Sequence, residues 1–127
     1  MTENKTMAGQ LIDIIRQLSN EYPEALYDKG SSSMCAYERG VVHNGPPQPG
    51  CIVGQAAQRT GFFDYFNGKN ASVESIIFDS DFTYEDWEVQ WLEEVQEDQD
   101  SGMTWGSAVE RADWRKEDRD SRSAMAE

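Results

Sequence analysis

Basic residues are missing where acid is most plentiful: from Ser72 to Glu110 the chain has no Lys or Arg, against twelve Asp or Glu residues. The rest of the chain nearly balances its own charge, so this block accounts for most of the formal net charge of −13. Such a balance excludes direct binding to nucleic acid or an anionic membrane, because phosphate contacts need Lys and Arg to displace counterions. Long apolar runs are also missing. Stretches such as Ile76–Phe78 fall far short of a membrane span. Met1–Gln10 has no basic segment leading into an apolar one, which reads against an export leader. With two cysteines and no leader, reduced thiols and a cytoplasmic location are expected. There is no glycine-rich phosphate cradle and no pair of cysteines two residues apart, so neither a nucleotide cofactor nor a paired zinc site is expected.

What is present is enough for one core. A chain of 127 residues forms one domain of ordinary size. Met7, Leu11, Ile14, Ile15 and Leu18 make one helical stripe that stops near Tyr22-Pro23, where proline disfavours continuation. Met34–Tyr37 and Val41-Val42, separated by Glu38-Arg39-Gly40, fit a small hairpin or an irregular loop. Ile52, Val53, Ala56 and Ala57 lie on one side of a second helix, and Gly61 is its stop. Phe62, Phe63, Tyr65 and Phe66 read as core aromatics, followed by a short helix from Ser72 with Val73, Ile76 and Ile77.

Thr83 is the expected N-cap of an acidic helix that carries Glu85 and Asp86 in its first turn and ends at Ser101-Gly102. Tyr84, Trp87, Trp91, Leu92 and Val95 are its anchors, and Val89 falls off that stripe. Thr104 caps a last helix with Trp105, Ala108, Val109 and Ala112 on one face. The sequence thus predicts a mainly α, single compact domain over residues 6–114, with four to five short helices and a small β-hairpin near residues 34–42. Residues 115–127 lack an apolar face and read as a charged tail, frayed or disordered.

Two segments carry a resemblance. Pro49–Ala56, and Val95-Gln96 with Gln99–Val109, look like a pattern found in small proteins of actinobacteriophages and their actinobacterial hosts. The resemblance spans roughly Cys35 to Asp113 and brings no established activity with it. It implies a phage or prophage origin and a host cytoplasm, and the acidic run lies outside the shared pattern.

Three constellations compete for a function. Glu85, Asp86, Glu88, Glu93, Glu94, Glu97, Asp98 and Asp100 place about one charge per 3 Å of helix axis, close to the roughly 3.4 Å of a single DNA strand. That face is the expected site for a basic host or phage protein, held by charge, with imitation of nucleic acid as one mode of binding; the same acids also fit a plain solvated surface. Cys51, at a helix start, with His43 as base and Gln48 as oxyanion donor, outlines a small Cys-dependent hydrolase or transferase. Cys35, His43 and Cys51 supply three zinc-type ligands without the usual spacing, and Asp79-Ser80-Asp81 lacks the glycine and distal glutamate of a calcium loop. The leading expectation is a non-catalytic interaction protein without cofactor; a virion or assembly component is a further alternative.

Overall fold

A computed structural model describes residues 5–28, 37, 40–69 and 71–126. The chain forms α1 (Met7–Glu21), β1 (Leu26–Asp28), β2 (Val41–His43), α2 (Ile52–Thr60), a single 3-10 turn (Phe63–Tyr65), α3 (Val73–Phe78), α4 (Asp86–Asp100) and α5 (Trp105–Ala126). It is a mainly helical domain with one small antiparallel sheet. Leu26 pairs with His43 and Asp28 with Val41. The second strand thus falls on the expected Val41-Val42, while the first is Leu26–Asp28. Met34, Cys35 and Ala36 lie outside the described residues, and Tyr37 is fully buried.

The core is assembled from the stripes the periodicity outlines. Leu11, Ile15 and Leu18 of α1 meet Ile52, Val53, Ala56 and Ala57 of α2, Trp91, Leu92 and Val95 of α4, and Trp105, Ala108 and Ala112 of α5. Ile12 also faces inward, so the α1 stripe is wider than its spacing suggests. Phe66 and Phe82 are buried with Phe62 and Tyr65 edge-on around Phe82, at ring-centroid distances of 5.1–5.9 Å. Edge-to-face packing of this kind suits aromatic quadrupoles. Gly54 of α2 sits against the Tyr37 backbone, where an added Cβ would stand 2.0 Å from the carbonyl oxygen. The small residue therefore admits the Tyr37 backbone to the helix surface.

Two expectations are corrected. Thr83 serves the start of α1, whose N-cap is Thr6, instead of α4: its Oγ1 accepts from the Met7 N–H at 2.8 Å and its carbonyl from the Ala8 N–H at 3.1 Å. The N-cap of α4 is Glu85, whose own N–H donates to Glu88 Oε1 at 2.8 Å. The stretch after Trp114 is helical, since α5 continues to Ala126. It lacks an apolar face because what holds its first half is charge: Arg115, Lys116 and Arg119 lie back along α4. Among the described residues no helix is long and apolar enough to cross a membrane.

Candidate interaction surface around the acidic helix

The inward side of α4 is partly polar, and its two buried glutamines each satisfy the open end of a neighbouring helix. Helix N-termini leave unpaired N–H groups that must find acceptors when buried. Gln99 Oε1 accepts the Ile52 N–H at the start of α2 (2.8 Å) and the Trp105 indole N–H (3.1 Å). Gln96 Oε1 accepts the Val73 N–H at the start of α3 (3.0 Å), while its Nε2 donates to the Tyr37 hydroxyl (2.9 Å). That hydroxyl in turn donates to the Ala71 carbonyl at 2.7 Å. Burial pushes the Tyr37 phenol well above its ordinary range. Glu88, 5% exposed, accepts from the Thr6 hydroxyl at 2.6 Å as well as from the Glu85 N–H. Glu88 is therefore a structural acceptor and not part of an outer acidic face.

The remaining acids divide between two flanks. Toward α5, Asp98 Oδ2 meets Arg115 at 3.1 Å and Arg111 at 3.4 Å, and Glu94 Oε2 meets Arg119 Nη1 at 3.0 Å. Lys116 sits 4.6 Å from the Trp87 ring centroid, a cation–π distance. Deeper on this side, Asp113 accepts from Arg16 at 2.7 Å and from the Trp91 indole N–H at 2.8 Å. Toward α3 the arrangement is the opposite. Glu93 Oε1 caps the Glu74 N–H at 3.2 Å. Partial burial, then the carboxylates of Glu97, Glu74 and Asp100, hold the Glu93 carboxyl above its ordinary range despite that hydrogen bond. Glu74, Asp79, Asp81, Asp86 and Glu97 are exposed. No ion pair joins any of these five, or Glu93, to a basic side chain among the described residues. Glu85 is exposed at the N-cap, and Asp100 accepts from Gln99 Nε2 at 3.0 Å.

The Cys51 and His43 pair has a different environment from the one a hydrolase needs. Cys51 is fully buried and disulfide-bonded, so its sulfur is not the reduced thiol expected from the sequence. His43 stands exposed on β2 with Nε2 3.9 Å from Asp28 across the sheet. Gln48 offers its carbonyl to Gln55 Nε2 at 2.8 Å. Cys35 lies outside the described residues. Among the described residues no three His, Cys, Asp or Glu side chains gather as a metal site. A groove of about 540 Å³ between the end of α1 and the start of α5 is lined by Ser19, Glu24, Ser107, Glu110 and Asp113 among others, with neither histidine nor cysteine.

Two residues outside the expected site stand out on the α3 flank. Phe78 is 54% exposed and Tyr84 40%, and their rings lie 5.5 Å apart. Tyr84 precedes α4 and does not anchor it. The signal for Phe78 was in the helix period, since five residues past Val73 it falls about 140° around α3, away from buried Val73, Ile76 and Ile77. Val89 is buried and Trp114 exposed, which their positions off the apolar stripes did not determine. Comparison of the chain with protein-family models, with curated proteins and with solved structures finds no match.

Proposed function

We propose that this chain is a non-catalytic acidic interaction protein, phage-encoded, that binds a basic host or phage protein through the α3 side of its acidic helix. The observation that carries the reading is that Glu74 and Glu97 stand exposed beside Glu93, which caps the Glu74 N–H, and that none of the three is ion-paired to a basic side chain among the described residues, in a protein that elsewhere sets Arg against the acids of the same helix. Uncompensated like charges at short range destabilise a fold. A partner bearing Lys or Arg gains attraction and also relieves that repulsion. The α5 flank shows the chemistry in miniature: arginines four residues apart, Arg111, Arg115 and Arg119, lie along Asp98 and Glu94. A continuous row of carboxylates imitating a phosphate backbone fits less well, because Glu88 is buried and Glu94 and Asp98 are already paired. The resemblance to actinobacteriophage proteins supplies the setting, a phage and its actinobacterial host.

The test is affinity capture from a nuclease-treated actinobacterial lysate with the intact chain and with a Glu74→Gln, Asp86→Asn, Glu97→Gln variant. All three positions are exposed, so folding is preserved. The expected result is a basic protein retained by the first, absent from the second, and released as salt rises. Capture that is equal for both chains, or indifferent to salt, overturns the reading.

A further inference from the structure

We infer that the exposed Phe78–Tyr84 ring pair is the anchor of this acidic surface and that it selects arginine: the occupant is an arginine-bearing segment of the basic partner, its guanidinium laid on the aromatic faces. This rests on the acidic-surface reading and adds a place and a side-chain preference to it. Single exposed apolar residues are ordinary on protein surfaces. Two large rings in contact, 54% and 40% exposed, are a different matter when exposed carboxylates flank both of them along the chain. Glu74 lies one turn before Phe78 on α3, Asp79 follows it, Asp81 lies between the rings in sequence, and Glu85 and Asp86 follow Tyr84. All five are exposed. Lys69 lines the adjoining groove with Asp64 and Asp79 and joins neither in an ion pair.

Charge and shape together define the occupant. The rim repels an anionic or purely apolar partner, because apolar contact on the rings would bury carboxylates without counterions. A cation is attracted both by the rim and by the negative faces of the rings. Between the two basic side chains, guanidinium is planar, weakly hydrated and stacks on aromatic rings while its edge still donates to carboxylates; ammonium is a compact, strongly hydrated charge. The same molecule holds Arg16 5.2 Å from the Trp91 ring centroid while that guanidinium donates to Asp113. An Arg over a ring with a carboxylate at its edge is thus a combination this fold already builds internally.

The experiment is calorimetric titration of the full-length chain with an octa-arginine and an octa-lysine peptide at low salt, repeated on Phe78→Ala, on Tyr84→Ala, and on the Glu74→Gln, Asp86→Asn, Glu97→Gln variant. Both rings are exposed, so the alanine variants keep the core, which circular dichroism verifies. Octa-arginine is expected to bind the parent chain about fivefold tighter than octa-lysine, and each ring deletion to cost roughly threefold for the arginine peptide and nothing for the lysine peptide. Equal affinity for the two peptides, with ring deletions without effect, overturns the arginine anchor; if the acid variant still weakens both, the acidic-surface reading stands. Binding of neither peptide overturns the anchor and removes the support for the charge reading as well.

Discussion

The two flanks of α4 use the same residue types to opposite ends. On the α5 side, Glu94 and Asp98 are matched by Arg119, Arg115 and Arg111, and the charge holds a helix in place. On the α3 side, Glu74, Glu93 and Glu97 lie close together, and no basic side chain among the described residues is ion-paired to them. The lesson is that a count of acids says little about their availability. What decides is the neighbouring element: α5 brings arginines at helical spacing to one flank, whereas α3 brings an unpaired N-terminus and another glutamate to the other.

The comparison can be broken most forcefully from the inside. Gln99→Ala leaves the Ile52 N–H and the Trp105 indole without their shared acceptor in a buried site. It should cost about 3 kcal/mol, read as a lower denaturation midpoint with unchanged slope. Breaking the matched flank comes next. Arg119→Ala strands Glu94, whose side chain is 17% exposed, and should cost about 1 kcal/mol. A double-mutant cycle with Glu94→Gln should recover most of that as coupling. A cycle with no coupling would mean that α5 is held by its apolar residues alone.

Neutralising the other flank should do almost nothing to stability in physiological salt, within about 0.5 kcal/mol for Glu74→Gln, Asp86→Asn, Glu97→Gln. It should nevertheless flatten the salt response. The parent chain gains stability as salt screens the crowded acids, and the variant should gain less; an identical salt response in both would show that the crowding is inconsequential. The smallest effect belongs to Glu93. Its carboxyl is held above the usual carboxylate range, so the folded state binds that proton more tightly than the unfolded chain does. The resulting penalty is present at neutral pH and fades as pH falls through the folded value toward the unfolded one. Glu93→Gln, which keeps an acceptor for the Glu74 N–H, should therefore raise the melting temperature slightly at pH 7 and leave it unchanged near pH 4.

Much of the architecture was legible because periodicity and punctuation are local. The stripes of α1, α2 and α5, the start of α3 at Ser72 and the Gly61 stop of α2 follow from residue spacing and from the backbone freedom of glycine, whose φ at Gly61 is 84°. The caps that failed were those satisfied across the fold. Thr83 stands two residues before the N-cap of α4 and looks like its cap, yet its hydroxyl meets a helix 76 positions away. Likewise, residues 115–126 look unanchored because their partners, Glu94, Asp98 and Trp87, lie on another element.

The candidate site was legible in kind and not in extent. Absence of Lys and Arg from Ser72 to Glu110 located the charge, since no fold can import a basic residue into a sequence segment. By itself the sequence determined the helical class, the core stripes and the presence of an acidic surface, all of which depend on residue type and spacing along one stretch of chain. The tertiary structure alone decided that Glu88 became a buried acceptor, that Glu94 and Asp98 were neutralised, and that Phe78 and Tyr84 met in the open beside the remaining acids. Those outcomes depend on which elements lie side by side, and that is set by the packing of the whole core.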